Sequence, residues 1–317
     1  MNSPYHIPAM LTETLDGLLT NKDGTYVDVT LGGGGHSRAI LSHLSNRGAL
    51  YSFDQDIDAI QNQQALGDIP ANWQLVHANF RYLTQFMDYY GVEGIDGLLA
   101  DLGVSFHHFD TPERGFSFRF AAPLDMRMNQ SARLSAADIV NTYDEERLAN
   151  VLYLYGEMKN SRQVARRIVK ARSLSPLLSI EQLVACLTGT KTIGVTEEDM
   201  LSIPPNQKKD LARLFQALRI EVNDEMGALR EMLLGAKTLL KPGGRIAILT
   251  YHSLEDRIVK NFLRAGNLEG VIEKDFYGNI LSPFRLIEKG RTATEEEVAR
   301  NPRSRSAKLR VAEKINH

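Results

Sequence analysis

The chain has 317 residues, 43% of them hydrophobic and 24% charged, with a formal net charge of −2 and a pI near 6.5. These values describe an ordinary globular protein, long enough for a full core and a second compact unit, and they exclude a disordered chain or a uniformly basic nucleic-acid coat. One cysteine excludes an internal disulfide and no Cys/His spacing predicts a metal site; with no apolar run near the roughly 20 residues of a membrane helix and no basic-then-apolar leader, the expected location is cytoplasmic.

In chain order, the first clear element is the strand Tyr26-Val-Asp-Val-Thr-Leu31, which stops at four glycines, Gly32 to Gly35, before a helix near residues 37 to 45. Glycines at a strand-to-helix turn allow positive φ and close approach of a ligand, while the helix points free N–H groups at it. A second strand, Ala49-Leu-Tyr-Ser-Phe53, ends in Asp54-Gln-Asp56, where a doubly wound fold places its ribose-binding carboxylate. Further strands are predicted near 74 to 77 and 96 to 100, the latter running into Asp101-Leu-Gly-Val-Ser105. From about 109 to 206 the strand signals vanish. Helix starts are read at Thr142-x-x-Glu145 and Ser179-x-x-Gln182. Helical periodicity over Leu211 to Leu240 then ends at Lys241-Pro-Gly-Gly244, before the strand Arg245 to Thr250. The chain therefore divides into a core (1–108), a helical insertion (109–206) and the rest of the core (207–317).

The glycine turn narrows the ligand. A dinucleotide fingerprint needs Gly-x-Gly-x-x-Gly or Ala, but frames starting at Gly32 and Gly33 end at Ser37 and Arg38, and no Gly-Lys-Ser/Thr follows to make a Walker loop. S-adenosylmethionine is the best remaining candidate: it has no pyrophosphate, needs room for an amino-acid tail beside the glycines, and offers a ribose diol to Asp54. The alternative is a turn that is only a turn. Asp101 ends the fourth strand on the same crevice, as an acceptor for cofactor or substrate amine or as a cap. His252 and Ser253 read equally as substrate contacts or as the start of a helix with Ser253 as N-cap and Asp256 three residues on.

Eight blocks, in order and spanning nearly the whole chain, resemble the bacterial RsmH/MraW family: Thr30-Leu-Gly-Gly-Gly-Gly-His-Ser-Arg38, Phe53-Asp-Gln-Asp56, Asp101-Leu-Gly-Val-Ser105, Arg114-Gly-Phe-Ser-Phe118, Pro123-Leu-Asp-Met-Arg-Met128, Phe215-Gln-Ala-Leu-Arg-Ile-Glu-Val-Asn-Asp-Glu225, His252-Ser-Leu-Glu-Asp-Arg257 and Asn301-Pro-Arg-Ser-Arg-Ser-Ala-Lys-Leu-Arg310. The resemblance implies a Rossmann-like, doubly wound S-adenosylmethionine-dependent methyltransferase core with an inserted all-helical domain. The implied reaction is methylation of N4 of a decoding-centre cytidine in 16S ribosomal RNA, with the RNA, within the small ribosomal subunit, as partner. Carried over by position, the implied cofactor contacts are Gly34, Gly35, His36, Asp54, Phe80, Asp101 and His108; the chemistry of amine methylation makes Asp101 the candidate catalytic acceptor instead if the cofactor does not use it. The chain departs from the family pattern at Ser105-Phe-His-His-Phe-Asp110, where the family usually reads Ser-Ser-Pro-Gln-Leu-Asp.

The residues fit that implication. Methylation at carbon 5 of a pyrimidine needs a cysteine nucleophile, but Cys186 lies in the apolar pattern of Ile180 to Leu187, whereas transfer to an exocyclic amine needs only alignment and acceptors. Two basic stretches are candidates for RNA phosphates: Lys159 to Arg172, with Arg162, Arg166 and Lys170 on one helix face, and Arg300 to Arg310. The first reads alternatively as a solvated helix face and the second as a final strand. Phe106, Phe109, Phe116 and Phe118 are candidates to grip a splayed base or to fill the core. Two rival functions remain, a small-molecule methyltransferase and a catalytically silent RNA-binding protein.

Overall fold

The computed structural model describes residues 8–104, 111–189, 203–278 and 280–316. The chain forms two compact units, Met1–Gly103 with Met226–His317, and Val104–Glu225.

The first unit is built on a seven-stranded sheet of β1 (Thr25–Asp28), β2 (Ala49–Asp54), β3 (Trp73–His77), β4 (Ile95–Asp101), β5 (Leu240–Thr250), β6 (Phe284–Thr292) and β7 (Lys308–Lys314), in the order β3-β2-β1-β4-β5-β7-β6. Strands β1 to β5 are mutually parallel, and β7 runs antiparallel between β5 and β6. From β1 the chain builds outward through β2 to β3, then returns to β1's other side at β4. Such a reversal opens a crevice at the carboxyl ends of β1 and β4.

Both faces of the sheet are covered, so its central strands are apolar throughout rather than alternating. Along β5 the side chains still divide by parity. Ile246 and Ile248 join Val27, Phe53 and Leu98 under α4 (Leu83–Tyr89), the helix Glu225–Leu239 and the helix Ser253–Ala265. Ala247 and Leu249 join Tyr26, Leu50 and Leu99 under α1 (Leu11–Leu18), α2 (Gly35–His43) and α3 (Ile57–Ala65). Each fully buried Leu, Ile or Phe here contributes roughly 1.5–3 kcal/mol of burial free energy before entropy is counted. The edge strand β6 carries Arg285, Glu288, Lys289 and Arg291, charges that discourage further strand pairing.

The second unit is helical: α5 (Ala136–Thr142), α6 (Glu145–Gly156), α7 (Ser161–Arg172), α8 (Ile180–Thr188) and α9 (Pro205–Asn223) bury one core that includes Ile139, Leu148, Leu152, Ile168, Leu183, Leu211, Leu214 and Leu218. Its limits, 104 and 225, differ from the expected 109 and 206, because α9 packs its apolar face into this core. The periodicity over 211–240 is likewise two helices, α9 and α10 (Glu225–Leu239), parted at Asp224 with φ 44°. Asn223 turns its amide to Met126 O and Arg219 O, each at 2.8 Å, and accepts from Met128 N–H, while Arg219 pairs with Glu225 at 2.7 Å across the break. The start of α6 is capped by Asp144, which accepts from Arg147 N–H; Thr142 instead ends α5, its hydroxyl donating to Asp138 O. The expected box at Ser179 is present: its N–H donates to Gln182 Oε1 at 3.1 Å. No helix among the described residues is long and apolar enough to cross a membrane.

Two further helices complete the first unit, α11 (Ser253–Ala265) and the short α12 (Glu295–Arg300).

Candidate active site

The four-glycine turn joins β1 to α2. Gly32 and Gly34 hold φ of 47° and 78°, values that favour glycine, and Gly34 N–H closes the turn on Leu31 O at 2.7 Å. The glycines serve different ends. A Cβ on Gly34 would collide with Gln63, whose amide donates to Gly33 O at 2.9 Å, and one on Gly35 would press within 2.9 Å of Pro8. Among the described residues, a Cβ on Gly32 would meet only Thr30 O at 3.9 Å. The described residues thus leave space over Gly32, whereas Gly34 and Gly35 are glycines for packing.

Asp54 ends β2 beside that space. Its Oδ2 accepts Gly32 N–H at 2.9 Å and its Oδ1 accepts Asp56 N–H at 2.8 Å. Burial pushes its pKa up to about 6 against the pull of the two N–H donors. Phe80 is brought to the same edge because Ala78 N–H donates to Asp54 O at 2.9 Å and Asn79 donates to Gln55 at 2.8 Å. It lies half-buried at the start of a 3₁₀ turn, its ring packed on the sheet core.

Beneath the turn, buried Asp28 accepts from Thr30 N–H at 3.0 Å and from Ser37 Oγ at 2.6 Å; Ser37 also contacts Ser52 Oγ, to which Trp73 donates at 2.8 Å. Burial raises the Asp28 pKa despite these donors. The network ties the first turn of α2 to β1, β2 and β3.

At the end of β4, Asp101 is held from three directions. Its backbone N–H donates to Thr30 Oγ1 at 2.7 Å, its Oδ1 accepts the Tyr251 hydroxyl at 2.7 Å, and its Oδ2 lies 3.6 Å from His36 Nδ1. The other ring nitrogen of His36, Nε2, lies 3.2 Å from Ala9 O; because a carbonyl only accepts, Nε2 carries the hydrogen there. Burial first, and then the Asp101 charge, raise the Tyr251 pKa, so this phenol stays a donor. The expected residues Gly32–Gly35, His36, Asp54, Phe80 and Asp101 thus gather along one edge of the sheet. His108 lies outside the described residues, as do Ser105, Phe106 and Phe109.

Several expectations change. His252, not Ser253, occupies the N-cap position of α11, and Ser253 is its exposed first residue. His252 Nε2 stands 2.9 Å from Glu255 Oε1 without hydrogen-bond alignment, and neither buried ring nitrogen completes a hydrogen bond. Asp256 serves not as a capping partner but as the acceptor for Arg310 at 2.7 Å and Lys308 at 3.1 Å, joining α11 to β7. Arg310 is therefore an internal residue of the sheet, and the basic tail continues as a strand. Phe116 is buried in the helical core and Phe118 packs edge-on to Phe215, at 5.4 Å between ring centroids. Cys186 is half-buried against the same core, its thiol pKa raised by burial. Sequence reading passed over Thr30 and Tyr251; each is a hydroxyl at the carboxyl end of a parallel strand, and that position is the signal that finds them.

This edge offers main-chain space at Gly32 among the described residues, a carboxylate suited to a diol, an aromatic face, and a second carboxylate that accepts the Tyr251 hydroxyl. The profile of the MraW methylase family matches residues 3–315. The chain is 56% identical over 311 residues to the ribosomal RNA small subunit methyltransferase H of Phocaeicola vulgatus, covering 98% of this chain and 97% of that one. The protein of that name from Parabacteroides distasonis is 56% identical over 318 residues, 99% of each chain, and that of Bacteroides thetaiotaomicron 55% identical over 311 residues, 98% of this chain and 97% of that one. With its blocks, its length and its sheet edge in agreement, the chain belongs to the MraW methylase family.

Proposed function

We propose that the protein methylates the exocyclic N4 amine of a decoding-centre cytidine in 16S ribosomal RNA, with S-adenosylmethionine as methyl donor. The observation that carries this reading is Asp101, held by Tyr251 and facing His36 at the switch point, on the same sheet edge as the Gly32–Asp54 clasp. The space that the described residues leave over Gly32, a carboxylate with lone pairs left after its two N–H contacts, and the Phe80 ring fit the amino-acid tail, ribose diol and adenine of the donor. His36 and the packed glycines Gly34 and Gly35 shape the turn from below. When bound, S-adenosylmethionine supplies a methyl group already activated by a positive sulfur.

The N4 lone pair of cytosine is delocalised into its ring. Asp101 accepts a hydrogen bond from one N4–H and stabilises the positive charge that develops as the new C–N bond forms; the departing proton passes to this carboxylate or to water. The Tyr251 hydroxyl fixes the orientation of that carboxylate. Methylation at carbon 5 is disfavoured because the chain's one cysteine sits half-buried against the helical core, with its thiolate suppressed. The helical unit is the RNA-recognition domain, and the exposed cations of α7 hold phosphates. Labelled methyl transfer tests the reading: small ribosomal subunits or their stripped RNA should accept label. Asp101→Asn, at saturating donor, should transfer roughly 10²–10³-fold more slowly. Label reaching only a small metabolite would overturn it.

A further inference from the structure

Past Tyr251 on the first unit, the end of β5, the opening turns of α11 and the residues leading into β7 enclose an open pocket of about 380 Å³. Arg257, Lys260 and Lys308 line it together with the hydroxyls of Ser253 and Ser306. The pocket's carboxylate, Asp256, is already matched by Arg310, which contacts it at 2.7 and 3.1 Å from inside the sheet. Lys308 also reaches Asp256, at 3.1 Å, but an ammonium has three donors and keeps the others for the pocket. Arg257 and Ser253 also make contacts of their own, so the site rests on Lys260, Lys308 and Ser306: two ammonium groups and a hydroxyl beside a carboxylate neutralised from behind suit a tetrahedral anion.

We propose that this pocket holds a backbone phosphate of the RNA strand beside the target nucleotide. The inference rests on the reading of RNA as substrate. One side chain connects the two places: the Tyr251 hydroxyl is on Asp101 and Tyr251 lines the pocket. A phosphate fixed here would set how far the base reaches toward Asp101, so the pocket positions substrate without touching the reacting atoms.

The test uses the full chain with Lys260→Gln and with Lys260→Gln/Arg257→Gln, measuring donor affinity by calorimetry, RNA binding against salt, and transfer kinetics. Donor affinity should stay within about twofold, which also reports an intact fold. The slope of log K against log salt should fall by about 0.7 for each phosphate of single-stranded RNA that the variant no longer neutralises. RNA KM should rise several-fold with kcat little changed, and Lys260→Arg should restore it. Inorganic phosphate, against a chloride control of equal ionic strength, should compete with RNA for the native chain and lose that effect in the double variant. An unchanged salt slope and KM would overturn the pocket; phosphate competition persisting in the double variant would do the same, by placing the anion site elsewhere. If the native chain transferred no methyl to RNA, the proposed function would fail instead, and the salt slope would still judge the pocket.

Discussion

Asp54 and Tyr251 carry the clearest predictions at the scale of single residues. Free in an unfolded chain, the Asp54 carboxyl ionises near 3.8; in the fold it ionises near 6. Its contribution to folding is fully present below pH 3.8 and is lost as pH rises through about 6, where the buried group must carry charge. Ligand hydroxyls donate to the ionised form, so S-adenosylmethionine affinity should rise between about pH 5 and 7, and calorimetry near pH 6 should record proton release. Asp54→Ala should weaken donor binding by about 1.5–3 kcal/mol and abolish that pH dependence; unaltered affinity would remove Asp54 from the site. Tyr251→Phe deletes the donor to Asp101 and should lower kcat roughly tenfold with donor affinity kept, an effect of one charge-assisted bond. Asp54 was legible in the sequence because it follows an apolar strand at the separation a nucleoside fold requires. The Tyr251–Asp101 bond was not, because its partners lie 150 positions apart and only the strand order of the sheet joins them.

Among the elements, helix α7 buries one face and exposes Arg162, Arg166 and Lys170 on the rest. Val164, Ala165 and Ile168 are buried, while Arg166 pairs only loosely with Glu145, at 3.4 Å and largely in solvent. Such an exposed pair adds little stability. Arg166→Ala with Lys170→Ala should therefore leave the melting temperature nearly unchanged while weakening RNA binding and flattening its salt dependence. An unaltered slope would return α7 to an ordinary solvated surface. Arg310→Ala is the structural counterpart: it removes the two-point partner of Asp256 between α11 and β7, leaving Lys308, and should cost about 1.5–3 kcal/mol in denaturant unfolding. The turn before α2 and the cap of α8 could be read from the sequence because local chemistry makes them, glycine φ in one case and a Ser–Gln exchange in the other. The break at Asp224 could not, since apolar periodicity continues through it and the hydrogen bonds that fix it come from Met126 and Met128. Strand β6 was hidden by the charges that protect its edge.

Across the whole molecule, a doubly wound sheet interrupted by a helical unit was visible where strand signals vanished and then resumed. The extent of that unit was not, because α9 looks like any amphipathic helix until its packing partners are known. Among the described residues the helical core draws only on 104–225, so that fragment, made alone, should unfold cooperatively and bind RNA without binding S-adenosylmethionine. The proposed function turns on the chemistry at Asp101. Small ribosomal subunits and stripped ribosomal RNA, incubated with the protein and methyl-labelled S-adenosylmethionine, should be digested to nucleosides and resolved. Label in N4-methylcytidine, lost with Asp101→Asn, is the predicted result; label at carbon 5, in another base, or undiminished in that variant would contradict it.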